Sequence, residues 1–281
     1  MTRTMSALDL RARGRHTSVM ASIWLAVFLA AGARATPESS WGTDTTAHFV
    51  VHHENAGGSP ADDNLLERLY EALHPVLWTL TPWMTDTKVD VYLYANRDSF
   101  LKGRFSPPKW SGGLMRDADG VKELAIYEPI DASVAAHELT HLYFHSYFDE
   151  KSSSPPPWLD EGLAVDLQNQ ALTPPDPRDK GPVLGGSIPM KVFLASRPAE
   201  DAPGAVVSFW YQQAASVVMF LRAGHVPSLF FDFCAKLRDG AGTAEALREV
   251  YGYDDPEAFE KAWLAWRPKA APGMPVGLQT R

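Results

Sequence analysis

Two histidines and a glutamate in the pattern HExxH, namely His137, Glu138 and His141, are the residues of this sequence best suited to chemistry. Residues four apart lie on one face of an α-helix, so the two imidazoles can converge on a single metal ion at about 2.0–2.1 Å each. Glu138, beside the first imidazole, would reach a water on that ion and take its proton. The pattern predicts a zinc (Zn2+) site with a water-activating glutamate.

A catalytic zinc site takes a third ligand from the protein and keeps one position open. Glu161, in the string WLDEGLA, is the predicted third ligand, because a second helix can return towards the first after the prolines at 155–157. Two alternatives are weaker. His145 continues the four-residue spacing but lies roughly 12 Å along the helix from His137. Asp160 precedes the predicted second helix, where the helix dipole alone would favour a carboxylate.

The strings HELTH and WLDEGLA resemble the gluzincin zinc metallopeptidases, in particular the peptidase MA-like family. This resemblance implies that His137, His141 and Glu161 bind zinc and that Glu138 is the catalytic base. It extends more loosely over about residues 46–266.

The resemblance also implies two features that face the substrate. Gly113, Leu114 and Met115 resemble the gluzincin edge strand, whose unpaired N–H and C=O groups suit pairing with an extended peptide. A plain surface hairpin is the alternative. Tyr211 resembles the family's donor to the oxyanion of the tetrahedral intermediate, and a core aromatic residue is the alternative there.

The residue that would orient the zinc ligands is not evident from the sequence. Related enzymes hold a histidine ligand with an acid near the third ligand. Here Val165 stands one turn after Glu161, and Asp166 follows it. Weaker candidates for the oxyanion donor are Tyr143, His145 and His225.

The surrounding patterns predict the elements that position these residues. Alternating or apolar runs indicate strands over residues 48–53 and 88–94, and a hairpin across 112–127. Helical spacing indicates the remaining elements, at about residues 62–80, 131–148, 158–170, 206–223, 227–238, 242–251 and 256–266. The helix over 158–170 is expected to pack on the HExxH helix through Gly162 and Ala164. The predicted fold class is α+β, with a mixed N-terminal sheet, the HExxH helix and a mainly helical C-terminal half.

Four segments follow from this reading. Residues 1–35 have a basic leader, a short apolar run and small residues before Thr36, which is typical of a secretory signal peptide. Retention of this segment as a membrane anchor is the alternative. Residues 36–172 form the predicted α/β zincin subdomain that carries the zinc site, and residues 173–267 form a helical subdomain. Residues 268–281 are a predicted tail.

The net charge and the cysteine content indicate where the protein acts and which class of partner is disfavoured. Without residues 1–35 the chain keeps 21 basic and 33 acidic residues, a net charge of −12, which disfavours nucleic acid as a partner. The single cysteine, Cys234, cannot form an internal disulfide and is predicted to be buried. These features favour export to the bacterial periplasm or the extracellular space, without stable membrane insertion after signal removal. The oligomeric state is left open.

The predicted function is therefore a secreted zinc metallopeptidase that acts on a peptide or protein. The alternative is a secreted, non-catalytic module that contains zinc and binds peptides.

Overall fold

A computed structural model describes residues 40–55, 57–118, 120–173, 181–199 and 201–268. These residues lie in one compact unit. The predicted signal peptide, most of the tail and part of the loop after residue 173 lie outside the described residues. The subdomain boundary at residue 172 stays a prediction.

The described N-terminal half contains a five-stranded mixed sheet in the order β1-β2-β3-β5-β4. Parallel pairing joins β2 to β3 and β3 to β5, whereas β1 and β4 are antiparallel edge strands. The strands are β1 (Gly42–Thr45), β2 (Phe49–His53), β3 (Val89–Tyr94), β4 (Leu114–Ala118) and β5 (Val121–Tyr127). The predicted hairpin is confirmed, and its glycine-rich arm leads into the free edge of the sheet.

Two helices connect the strands before the hairpin. They are α1 (Pro60–Leu77) and α2 (Arg97–Lys102), and a short 3-10 helix covers Pro82–Thr85. α1 begins with a proline at its first position, where no backbone N–H is needed. Its apolar face meets β2 and the HExxH helix in the main core. β1, α2 and the 3-10 helix are short elements that the sequence patterns did not predict.

The described C-terminal half is helical, as predicted. Its helices are α3 (Ala132–Asp149), α4 (Pro157–Leu172), α5 (Met190–Phe193), α6 (Gly204–Ala223), α7 (Ser228–Arg238), α8 (Thr243–Tyr251) and α9 (Pro256–Trp266). The α+β fold class is therefore confirmed. α5 is a single turn that the sequence did not reveal, and Cys234 of α7 is buried as expected.

α6 forms the centre of this helical half. Among the described residues, it is the one helix long and apolar enough to span a membrane, and half of its most apolar window is buried in the protein. It packs against α4, α7 and α9, which is the position of a core helix.

The packing partner of Gly162 differs from the prediction. A Cβ at Gly162 would lie 2.5 Å from the carbonyl oxygen of Ala214 in α6. α4 packs against α3 as predicted, but Gly162 permits the close contact of α4 with α6. The contact with α6 matters because α6 carries Tyr211.

Candidate active site

Helix α3 presents the HExxH residues. Asp131 caps it, and its side chain accepts hydrogen bonds from the N–H groups of Ser133 and Val134. This cap fixes where the helix begins and therefore which face its later residues occupy. His137 and His141 lie one turn apart with their Nε2 atoms 3.0 Å from each other.

Helix α4 brings Glu161 to the same point. Its Oε2 atom lies 3.4 Å from Nε2 of His137 and 3.5 Å from Nε2 of His141. One ligand atom from each of the three residues lies within 4.8 Å of the others. The structure thus brings together the three residues predicted to bind zinc.

Asp160 has a different position from the one predicted. It lies in the first turn of α4 rather than before the helix. Its Oδ1 atom is 2.7 Å from Nδ1 of His141, and its Oδ2 atom is 2.8 Å from Nε2 of His145. The carboxylate therefore holds the outer nitrogen of His141 and leaves Nε2 facing Glu161.

Gln168 holds the outer nitrogen of His137, as Asp160 does for His141. Its Oε1 atom lies 3.1 Å from Nδ1 of His137. Asp166, the acid considered from the sequence, is buried instead in an ion pair with Arg222 of α6. Gln168 follows Glu161 by seven residues, a spacing that returns to the same helix face and could have been noticed in the sequence.

These outer contacts determine which ring nitrogens can bind a cation. An imidazole that donates from Nδ1 to an acceptor oxygen keeps its lone pair on Nε2. With both Nδ1 atoms facing oxygens, the Nε2 lone pairs of His137 and His141 point towards each other. Oε2 of Glu161 is buried beside them, and within the described part of the chain it has no hydrogen-bond partner. Two converging lone pairs and a buried carboxylate oxygen fit a divalent cation such as zinc.

The ionisation of these groups reflects mutual attraction within a buried cluster. Burial raises the pKa of Glu161, but His137 and His141 outweigh it and lower that pKa to about 2. Burial lowers the pKa of His141, yet Asp160 and Glu161 raise it well above its ordinary value. Burial raises the pKa of Asp160, but His141 and His145 outweigh it and hold that pKa well below its usual value. Both carboxylates therefore remain charged, as ligation and orientation require.

Glu138 lies between the two histidines and the hairpin. Burial raises the pKa of its carboxyl, while the histidines and the N–H of Met115 act in the opposite direction. A Cβ at Gly113 would lie only 2.9 Å from Cγ of Glu138. The start of β4 therefore covers the predicted base closely, and Gly113 is the residue that leaves room for it.

The predicted peptide-binding strand lies beside this base. Leu114 begins β4 and Met115 follows it, whereas Gly113 precedes the strand. β4 pairs only with β5 in the described sheet, so its other edge is unpaired within that sheet. Peptide binding by these residues stays a prediction.

Tyr211 of α6 lies next to the Glu161 carboxylate. Burial raises the pKa of its hydroxyl, and the charge of Glu161 and a hydrogen bond to it raise that pKa further. Of the weaker donor candidates, Tyr143 packs against Tyr70 and Trp83, and His225 contacts Tyr253. His145 is near the site, where its Nε2 contacts Asp160. The role of Tyr211 as oxyanion donor stays a prediction.

One comparison with known proteins identifies a family for this chain. The family model described as Peptidase MA superfamily matches residues 76–268, which is more than half of the chain and includes both α3 and α4. A search of curated proteins finds no match. A peptidase family implies a peptide or protein substrate, and the described residues contain side-chain groups able to bind a metal. This chain belongs to the Peptidase MA superfamily.

Proposed function

We propose that this chain is a secreted, zinc-dependent peptidase of the gluzincin type that hydrolyses peptide bonds with Glu138 as the general base. One observation carries the proposal. Nε2 of His137, Nε2 of His141 and Oε2 of Glu161 face one another across 3.0–3.5 Å, with the partly buried Glu138 beside them.

The residues of the site divide the chemistry among themselves. Zinc held by the three ligands would supply Lewis acidity towards a carbonyl and a water. Glu138 takes the proton from the attacking water and passes it to the leaving amine. Because burial raises its pKa, Glu138 is a better proton acceptor and donor near neutral pH than an exposed glutamate. Tyr211 would donate a hydrogen bond to the oxyanion.

The substrate backbone would align along the free edge of β4. The N–H of Met115 interacts with Glu138, so a peptide on this edge would hold its scissile bond next to the base. Gly113 keeps the strand close enough for that contact.

The test is cleavage of an unstructured polypeptide by the purified protein and by Glu138→Gln, a substitution that preserves the size of the side chain. We expect a chelator to abolish cleavage and added zinc to restore it. Glu138→Gln should keep its zinc but lose activity by a factor of about 10²–10⁴, the usual contribution of a general base. Unchanged activity in this variant would exclude Glu138 as the base. A folded, zinc-loaded protein that cleaves nothing would favour the peptide-binding module.

Export is the second part of the proposal and rests on residues 1–35, outside the described residues. Expression in a bacterium followed by mass determination of the fractionated protein tests it. A periplasmic or extracellular product beginning at Thr36 is expected. A membrane-bound product that retains its leader would contradict cleavage.

A further inference from the structure

A second cluster of metal-ligating side chains lies away from α3 and α4. It consists of Asp44 on β1, His53 at the end of β2 and Asp63 in the first turn of α1. Asp44 pairs with Val51 and Gly42 pairs with His53, so Asp44 and His53 point to the same face of the sheet. α1 covers that face, and its first turn brings Asp63 to the same place.

His53 is a buried histidine between two carboxylates. Its side chain is 0% exposed. Among the described residues, neither ring nitrogen of His53 nor Oδ1 of Asp63 has a hydrogen-bond partner. A buried polar group without a hydrogen bond destabilises the fold, so three such atoms close together favour a shared partner.

The separations in this cluster fit a shared cation. Nε2 of His53 lies 3.3 Å from Oδ2 of Asp44 and 3.7 Å from Oδ1 of Asp63. Two ligand atoms at about 2.1 Å from one tetrahedral ion lie roughly 3.4 Å apart. The second separation is too long for a hydrogen bond. Ligation by one ion satisfies Nε2 of His53, Oδ2 of Asp44 and Oδ1 of Asp63 together, whereas a direct contact satisfies at most one pair of these atoms.

The local charge also favours a cation. Burial raises the pKa of Asp63, His53 lowers it, and the nearby acids Asp44, Asp62 and Glu67 raise it further. Three other acidic side chains therefore act on Asp63, which gives this part of the protein an excess of negative charge. Gly58 packs closely against the cluster, because a Cβ there would lie 2.6 Å from Oδ2 of Asp44. Its φ of +51° is also a conformation that glycine adopts most readily.

We propose that Asp44, His53 and Asp63 form a second, structural site for a divalent transition-metal ion. One imidazole and two carboxylates suit zinc, and Asp44 is 54% exposed, so water can complete the coordination. The ion would fasten the edge strand β1 and the end of β2 to the first turn of α1. This site shares no residue with the candidate active site and stands whether or not the chain is a peptidase.

The experiment removes the first site in order to count the second. Zinc is titrated against a competing chromophoric chelator into the His137→Ala/His141→Ala variant, with circular dichroism to verify folding. We expect about one zinc per chain and a melting temperature that rises with zinc. Asp44→Asn should weaken this zinc at least about tenfold, because it removes a charged ligand. His53→Gln should abolish the binding.

The matched control is His52→Gln. His52 is the neighbouring residue on the opposite face of β2, where it pairs with Asp90, so its substitution should leave the zinc affinity unchanged. If His53→Gln fails to fold, the zinc affinity of Asp44→Asn tests the proposal, because the side chain of Asp44 is exposed. The proposal is overturned if the folded double variant binds no zinc, or if Asp44→Asn leaves the affinity unchanged. Equal loss of zinc in His52→Gln would overturn it as well.

Discussion

Asp160 should determine zinc affinity without touching the ion. Its carboxylate accepts a hydrogen bond from Nδ1 of His141 at 2.7 Å, which joins a partly buried carboxylate to a buried imidazole. A hydrogen bond to a charged group contributes about 1.5–3 kcal/mol, and about 1.4 kcal/mol corresponds to a factor of ten in affinity. Asp160→Ala should therefore weaken zinc binding at the active site about 10- to 100-fold, the range usual for residues that orient a metal ligand. Asp160→Asn keeps one acceptor oxygen and should lose less.

Substitution of Gln168 should reduce the zinc affinity less than substitution of Asp160 does. Its 3.1 Å contact with His137 involves a neutral amide, so Gln168→Ala should weaken zinc binding by less than about tenfold. Zinc affinity is measured by chelator competition, and His137→Ala identifies the binding that belongs to this site. Asp166→Asn is the control, since this acid on the same helix pairs with Arg222 instead. The reasoning fails if Asp160→Ala binds zinc as tightly as the parent, or if Gln168→Ala loses more affinity than Asp160→Ala.

Three further substitutions separate chemistry from packing. Tyr211→Phe should keep zinc but lower kcat by about 10²–10³, as for loss of an oxyanion donor, and an unchanged kcat would return Tyr211 to a packing role. Gly113→Ala should lower kcat/KM without loss of zinc, because the new Cβ displaces Glu138. Equal activity would show that the backbone before β4 shifts to make room for the Cβ. Gly162→Ala gains about 1 kcal/mol of helix propensity but meets the carbonyl of Ala214, so chemical denaturation should show a net loss of up to about 2 kcal/mol. A more stable variant would contradict that close approach.

The parts of the molecule that the sequence predicted well are those with a strong local signal. The N-cap Asp131 and the apolar positions of α3 fixed the start and type of the HExxH helix. The turn between two apolar runs fixed the β4–β5 hairpin. The position of Glu161 followed from the prolines at 155–157, which separate the HExxH helix from the second helix.

The parts that escaped prediction depend on contacts between distant segments. Nothing local indicates that Asp160 would bridge His141 and His145, because that contact requires the angle between α3 and α4. Gly162 was assigned to the wrong neighbour for the same reason: a small residue permits close packing but does not name the partner. His53 lies in a strand that the sequence predicted, but its burial results from α1, which covers that face of the sheet.

Anomalous diffraction at the zinc edge, from crystals of the protein equilibrated with zinc, tests the central claim most directly. We expect a peak within about 2.0–2.2 Å of His137, His141 and Glu161, and no peak there in Glu161→Ala. Crystals that hold no zinc at these residues would contradict the account. So would a peak bound instead by His141, His145 and Asp160, the neighbouring group of potential ligands.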